Sequence, residues 1–595
     1  MLQGFDATTR PSDGPPRLAA LRARLAEIGL DGFLVPRADA HQGEYVAPHD
    51  ERLAWLTGFT GSAGFCAVLP HMAGVFIDGR YRVQVKDQVD LDHFTPVPWP
   101  QTKLADWLAA QMPNGAVIGY DPWLHSLAQI EGLEAKGEDH GISYRPVENC
   151  VDHVWEGQPA PPMGALRIHP VELAGETHAA KRARLAAELV AAGETAAILT
   201  LPDSIAWLLN IRGSDVVRNP VPHAFAVLHA DASVDLYVAA AKLSEPVRAH
   251  LGDAVRCHPP EAFAPALAAL EGRVRIDRDS APVRVARALA RPVPGRDPCL
   301  LPKARKTAAE IEGMEQAHLR DGAAMARFLA WLDTQDGPLT EIGVVRQLEE
   351  IRRQDPRLLD ISFDTIAGLG PHGAVVHYRV TEGTNRTARP GDLLLVDSGG
   401  QYADGTTDIT RTLPVGPVTE DQRACFTRVL KGLIAMSALR WPRGLAGRDI
   451  DAVARQALWE AGLDYDHGTG HGVGAALSVH EGPQRLSRVS DVPLEPGMVL
   501  SIEPGCYREG AFGIRIENLV HVVEAPALPG GDDRPMLAFA TLTWAPIDRR
   551  LVVPEMLSTA ERGWLDRYHA GVRGRIAPLL DAATASWLDR ATAPL

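Results

Sequence analysis

Apolar positions near the start of the chain recur at helical spacing: Leu18, Leu21, Leu25 and Ile28 fall on one stripe, and Gly29 closes the helix. Residues 1–16 before it are polar and proline-rich and read as loose. Asp31-Gly32 leads into a short buried strand, Phe33-Leu34-Val35. Ala54-Trp55-Leu56-Thr57-Gly58 and the strand-turn-helix text from Val75 to Tyr81 continue an α/β pattern to about residue 160. Pro159 to Pro162 reads as a linker. The opening theme then returns. Residues 179–192 are helical, Gly193 stops them, Ala197-Ile198-Leu199 is a strand, and Ala206-Trp207-Leu208 precedes Gly213. Helix, glycine, apolar strand, then Ala-Trp-Leu ahead of a glycine occurs in both places, which predicts two related α/β domains.

A further boundary falls near Leu301-Pro302-Lys303. Thr307 and Glu310 form a capping box, each side chain satisfying a backbone N–H that the helix itself leaves unpaired. That helix runs to about Leu332, with Ile311, Met314 and Leu319 among its apolar positions. Thr340 caps another that carries Val344, Val345, Leu348 and Ile351. Thr419 with Gln422 opens a third, to about Leu439, and Asp449 starts a fourth that Gly462 ends. Short strands alternate with these helices. Beyond about residue 540, Trp544, Trp564, Leu565, Trp587 and Leu588 read as an appended helical element, a packing or dimer surface rather than a site of chemistry. The predicted fold class is α/β (α+β), divided at residues 1–160, 161–302, 303–540 and 541–595.

Composition narrows the function. Apolar residues are 46% and charged residues 23% of 595, an ordinary globular balance. A net charge of -15 and a pI of about 5.8 argue against nucleic acid or an anionic membrane as the main partner. The six cysteines form no CxxC pair, so neither a disulfide framework nor a thiolate zinc site is expected. No signal-peptide pattern and no apolar run of membrane-spanning length is read, and a cytoplasmic protein is expected.

The chemistry concentrates between Asp397 and Glu517. Asp397 ends the apolar run Leu393-Leu394-Leu395-Val396. Alternation along strands places Asp408 on one face with Thr406, Thr410 and Thr412, Glu503 with Val499 and Ser501, and Glu517 with Arg515, while Ile514 and Ile516 fill the opposite face. His471 lies in the glycine-rich text from His467 to Gly474. A single acid on a strand ordinarily faces water. Four converging on a core would repel one another, and some would be driven to protonate. Two divalent cations remove the conflict. Four carboxylates and one imidazole suit oxygen-loving ions, manganese first, with cobalt, iron or zinc as alternatives. Ions about 3.5 Å apart share a hydroxide and polarise a carbonyl.

These residues resemble the pita-bread metallopeptidases, the group of methionine aminopeptidase, prolidase and aminopeptidase P. Their ligand order of Asp, Asp, His, Glu, Glu is matched by Asp397, Asp408, His471, Glu503 and Glu517. The surrounding text is similar to cytosolic Xaa-Pro aminopeptidases of the long, three-domain type. It includes Phe363-Asp364-Thr365-Ile366, His377-Tyr378, Thr384-Asn385-Arg386-Thr387, Asp404-Gly405-Thr406-Thr407-Asp408, Val479-His480-Glu481-Gly482-Pro483 and Gly510 through Asn518. Asp39-Ala40-His41-Gln42 and Arg212-Gly213-Ser214-Asp215 resemble that family's first and second domains. The resemblance implies two creatinase-like N-terminal α/β domains ahead of a pita-bread catalytic domain. One departure stands out: Arg379-Val380 follows His377-Tyr378 where a small residue and a proline are expected.

The resemblance also implies roles. Asp408 and Glu517 bridge two metal ions, Asp397 completes one, and His471 with Glu503 the other. Glu503 carries the proton, His480 stabilises the oxyanion, and His377 and His467 position the substrate. Arg515 orders the carboxylates and contacts substrate, or serves only as charge compensation. The implied substrate is a peptide with proline in second position, and a homodimer is expected. Prolidase is the nearest alternative. A metal-free binding module or a creatinase-like hydrolase on the same fold is weakened by the presence of all five ligands.

Overall fold

The leucine stripe near the start of the chain becomes α1 (Gly14–Glu27), and Leu18, Leu21 and Leu25 are buried among the residues of the first sheet. The computed structural model describes residues 2–595. They divide into two units, Thr8–Lys303 and Ala304–Leu595, with residues 2–7 belonging to the second.

In the first unit, β1 (Gly32–Pro36), β2 (Phe65–Val68), β3 (Ala73–Ile77), β4 (Thr95–Pro98), β5 (Val117–Tyr120) and β6 (Ser143–Pro146) form a sheet ordered β4-β3-β2-β1-β5-β6. β1 runs antiparallel to β2 and β2 to β3, while the outer pairs are parallel. A short helix, α2 (Arg52–Thr57), carries Trp55 and ends at Gly58, whose φ of 86° is left-handed. After an exposed stretch without regular structure at residues 159–162 comes α3 (His178–Ala191), then β7 (Ala196–Leu199) and α4 (Pro202–Leu209), which carries Trp207. The strands β8 (Phe225–His229), β9 (Val234–Tyr237), β10 (Val255–His258), β11 (Val274–Ile276) and β12 (Pro292–Pro294) complete a second sheet ordered β10-β9-β8-β7-β11-β12. Strand order and senses repeat those of the first sheet. The internal repeat read in the sequence is therefore a repeat of topology.

The second unit opens on α5 (Ala308–Leu332), α6 (Glu341–Arg352), α7 (Glu420–Ser437) and α8 (Gly447–Trp459). The capping boxes at Thr307 and Thr419 form as predicted, and Thr340 caps α6. α8 starts earlier than predicted: Asp449 is not its cap but reaches back from the first turn, accepting from Ala446 N at 2.8 Å. Its strands include β13 (Ile366–Leu369), β14 (Leu393–Ser398), β15 (Ile409–Pro414), β16 (Arg440–Pro442), β17 (Val499–Ile502), β18 (Gly505–Arg508), β19 (Phe512–Arg515), β20 (Asn518–Glu524) and β21 (Met536–Thr541), and a two-residue strand, Gly470–His471, carries His471. β14 is buried throughout and pairs antiparallel with β13 and β15. β16-β21-β20-β17 form a four-stranded sheet, and β18-β19 a hairpin.

Two expectations need correction. Residues 1–16 are not loose where described. α1 already begins at Gly14, and Gln3 and Phe5 are buried in the second unit. Their polar, proline-rich surroundings hide two docked side chains. The segment beyond 540 is only partly helical. Trp544 precedes α9 (Thr559–Ile576) and α10 (Ala582–Ala591) and stacks on Tyr568 at 5.7 Å, with Trp564 stacked on that same ring at 5.3 Å. Leu565, Val572, Ile576 and Leu588 are buried, so this segment packs onto its own unit.

Candidate metal centre

Strand pairing assembles most of the site. Asp397 on β14 is opposite Thr410 on β15, and Asp408 lies two residues upstream of Thr410, just before the strand begins. Glu517 follows β19, where its N–H donates to Thr410 O at 3.1 Å and its Oε2 accepts from Thr410 Oγ1 at 2.8 Å. Glu503 follows β17, its N–H donating to Thr469 O at 2.8 Å. His471 N donates to Ser501 Oγ at 2.9 Å, and that hydroxyl donates to Glu503 Oε1 at 3.1 Å. Ser501 contacts Glu503 as the shared face predicts, whereas Thr410 bonds to Glu517 instead of Asp408, and Asp408, Glu503 and Glu517 lie just outside the strands rather than within them.

Backbone contact brings these segments close. A Cβ on Gly470 would meet Ser501 O at 1.9 Å, and one on Gly513 would meet Gly373 O at 1.6 Å. Only glycine allows main chain to rest on main chain at these two points.

Asp408, His471 and Glu517 each offer a ligand atom within 4.8 Å of the others. His471 Nε2 is 3.5 Å from both Asp408 Oδ2 and Glu503 Oε1. Its Nδ1 faces Gly472 O at 3.0 Å, which assigns the proton to Nδ1 and leaves the Nε2 lone pair toward the acids. Asp397 Oδ2 accepts from Arg515 Nη2 at 2.6 Å. The ring of His480 meets that of His471 edge-on, centroids 4.2 Å apart. His377 is half-buried on the loop after β13. Both nitrogens of His467 have partners, Gly468 O at 2.8 Å and Tyr507 OH at 2.8 Å.

The electrostatics are those of a centre short of positive charge. Asp397 Oδ1, Asp408 Oδ1 and Glu517 Oε1 are buried with no hydrogen-bond donor. Burial, then the charges of Asp397 and Glu503, push the Asp408 carboxyl well above its ordinary range. Burial, then Asp408, Glu503 and Asp397, do the same to Glu517. Buried acceptors without donors are costly, and one arginine cannot neutralise four acids. These residues fit a pair of divalent cations, because hard carboxylate oxygens and one imidazole are the donor set such ions take.

Sequence reasoning missed two organisers. Tyr507 OH accepts from Arg515 Nη1 at 2.7 Å and donates to His467 Nε2, joining the arginine to the histidine. Arg411, buried, donates to Glu517 O at 2.6 Å, Asn518 Oδ1 at 2.9 Å, Ala545 O at 2.9 Å and Pro546 O at 2.8 Å. It fixes the turn bearing Glu517 to the C-terminal segment. The periodicity signal for Arg411 was available, since on β15 it points away from Thr410. These four partners lie more than 100 residues away and leave no local trace.

Residues 312–524 match the model of metallopeptidase family M24, and residues 535–595 that of the C-terminal region of the same peptidases. Residues 17–154 and 157–310 each match a creatinase/prolidase N-terminal domain. The probable Xaa-Pro aminopeptidase P of Aspergillus fumigatus is 39% identical over 611 residues, spanning 97% of this chain and 92% of the relative. The chain belongs to metallopeptidase family M24. Its likeness extends to the solved X-prolyl aminopeptidase of Caenorhabditis elegans, described as a cytosolic enzyme with a di-nuclear active site. That structure superposes with a TM-score of 0.94 at 32% identity, over 98% of this chain and 99% of the other. The two six-stranded sheets are thus creatinase-like domains, and the second unit of this M24 chain is its catalytic domain.

Proposed function

We propose that this M24 chain is a metallo-aminopeptidase that hydrolyses the bond between an N-terminal residue and a following proline. The observation that carries the reading is the cluster of Asp408, Glu517 and His471, with Glu503 3.5 Å from His471 and the charge of Asp397 felt by both acids, in which three buried oxygens are left without donors. The relatives named Xaa-Pro aminopeptidase support the substrate. In this reading Asp408 and Glu517 would hold both of two ions, Asp397 would complete one, and His471 with Glu503 the other. Manganese is the first expected ion. A bound pair of such cations supplies a hydroxide near neutral pH and polarises the scissile carbonyl.

The chain's own residues do the rest. Glu503 is the most open of the acids, with 18% of its side chain exposed against 5% for Asp408. Its carboxylate, held in place by the Ser501 hydroxyl, takes up a proton from the attacking water and passes it to the leaving proline nitrogen. His480, beside His471, donates an N–H to the developing oxyanion, an aid worth roughly 2.7–4 kcal/mol. His377 and His467 position the scissile segment. Arg515 donates all its hydrogen bonds within the protein, to Asp397, Tyr507, Thr410 and Val376 O, so its work here is to order the carboxylates. A bond before proline has no N–H for an enzyme to grip, so selectivity must come from the ring. The division at residues 160, 302 and 540, a cytoplasmic location and a homodimer belong to the same reading.

The test is an Xaa-Pro-Yaa tripeptide incubated with the Mn2+-loaded protein. The N-terminal residue is released, and a chelator abolishes release. Cleavage of Xaa-Pro dipeptides with the tripeptide left intact makes the chain a prolidase instead.

A further inference from the structure

The departure at Arg379-Val380 and the buried residues near the N-terminus explain one another. The loop that carries His377 is held from three sides. On its inner side, Arg515 Nη2 donates to Val376 O at 3.3 Å. Beneath it, the buried Glu341 carboxylate collects Leu369 N at 2.8 Å, His372 Nδ1 at 2.7 Å, Tyr378 OH at 3.0 Å and Arg386 N at 2.9 Å. The third side is the segment Leu2 to Phe5.

Gln3 clamps Thr365 with both ends of its amide: Thr365 N donates to its Oε1 at 2.8 Å, and its Nε2 donates to Thr365 O at 3.3 Å. Gln3 N donates to Glu349 Oε2 at 3.2 Å, and Leu2 N also donates to that carboxylate. Glu382 N, on the His377 loop, donates to Phe5 O at 2.9 Å. Phe5 is 5% exposed and belongs to the apolar cluster that holds Tyr378 and Val380. Arg379 lies between those two residues. Its Nη2 donates to Gly4 O at 3.3 Å, and its Nε is 2.9 Å from Asp364 Oδ2.

We infer that residues 2–5 are a built-in strap that positions the His377 loop, and that Arg379 and Val380 are its docking residues. Val380 is fully buried in the apolar cluster that holds Phe5. An arginine in place of a small residue reaches the strap backbone on one side and Asp364 on the other. Without the strap, Tyr378 and Val380 lose Phe5 from their apolar cluster, Arg379 loses its bond to Gly4 O, and Glu382 loses its backbone bond to Phe5 O. Residues 2–5 and Arg379 are positioning residues: none touches the ligand carboxylates. The inference rests on the peptidase reading for its kinetic consequence but not for its structural one.

The full chain, a variant lacking residues 2–5, Arg379→Ala and the double variant are compared by hydrogen exchange and by kinetics on an Xaa-Pro tripeptide. Removing the strap speeds exchange across residues 375–386 at least tenfold and leaves β14 unchanged. It lowers kcat/KM at least tenfold, KM carrying the larger share because His377 positions substrate, while bound manganese stays the same. Arg379→Ala alone costs less, and added to the strapless variant costs nothing more. Unchanged exchange at residues 375–386, or full additivity of the two changes, overturns the inference. If the strapless chain does not fold, Gln3→Ala and Arg379→Ala in the full chain carry the same readouts. Should the full chain cleave no Xaa-Pro peptide, the peptidase reading fails by itself, and exchange at residues 375–386 still decides for or against the strap.

Discussion

Each unit brings two acids and a histidine within 4.8 Å of one another: Asp39, Asp50 and His223 in the first, Asp408, Glu517 and His471 in the second. The clusters look alike in composition and differ in charge balance. Asp39 Oδ1 accepts from His41 N at 2.9 Å and Gly43 N at 3.1 Å, and its Oδ2 faces His223 Nε2 at 3.1 Å. Burial works against the Asp39 charge, yet the close approach of His223, with the backbone N–H of Gly43, holds its carboxyl below the ordinary range. His223 is raised by Asp39 in return, against its own burial. Asp50 gives an oxygen to Arg52 Nη1 at 2.8 Å, which opposes the upward push of burial and Asp39. In the second unit both Asp408 and Glu517 are driven well up, and each keeps a buried oxygen without a donor. Closeness of ligand atoms does not mark a cation site. Negative charge that the protein itself leaves uncompensated does.

The sharpest way to break this comparison is a matched pair of variants. Asp408→Ala removes both bound ions and lowers kcat by about three orders of magnitude or more, the scale of losing one member of a group that acts as a unit. Asp39→Ala leaves the metal content of the protein unchanged. Metal analysis of both proteins checks this, and ions lost from Asp39→Ala would erase the distinction. Next in size is Arg411→Met, which strands several buried acceptors around Glu517 and the C-terminal segment. It destabilises the catalytic domain by about 3 kcal/mol or more, read from urea unfolding. The smallest effect sharpens the account of the first cluster. His223→Ala costs about 1.5 kcal/mol at pH 6, as for a hydrogen bond between charged partners. Because the folded His223 titrates above its usual value of about 6.5, its contribution is complete below that pH and is lost as pH rises through the raised value. Asp39, held low, stays ionised throughout that window. Thermal melts at pH 6 and pH 9 test it, and a penalty equal at both would mean that packing, not charge, is what His223 contributes.

Much of this was legible in the chain. Capping boxes at Thr307 and Thr419 are local and appeared where they were read. Alternation alone places Ser501 on the face of Glu503, and the two are hydrogen-bonded; it places Thr410 with Asp408, while the bond Thr410 makes is to Glu517. The repeat of helix, glycine, strand and Ala-Trp-Leu foretold two sheets of one topology. What stayed hidden has a common cause. Asp408 and Glu503 sit one residue outside their strands and Glu517 between two strands, where periodicity loses its grip. Tyr507, Arg411 and the strap act through partners 8 to 375 residues away, and no local pattern records such pairings. The docking of Gln3 and Phe5 was masked by the polar text around them.

The main-chain contacts at Gly470 and Gly513 have a consequence for sister sequences. A descendant that abandoned hydrolysis could shed every acid and still be unable to give up these two residues, since any side chain there would pry the touching main-chain segments apart. In a comparison of paralogues the glycines would testify to inherited shape and the carboxylates to retained chemistry. A chain keeping the first and lacking the second is an heir to the architecture that has left the trade.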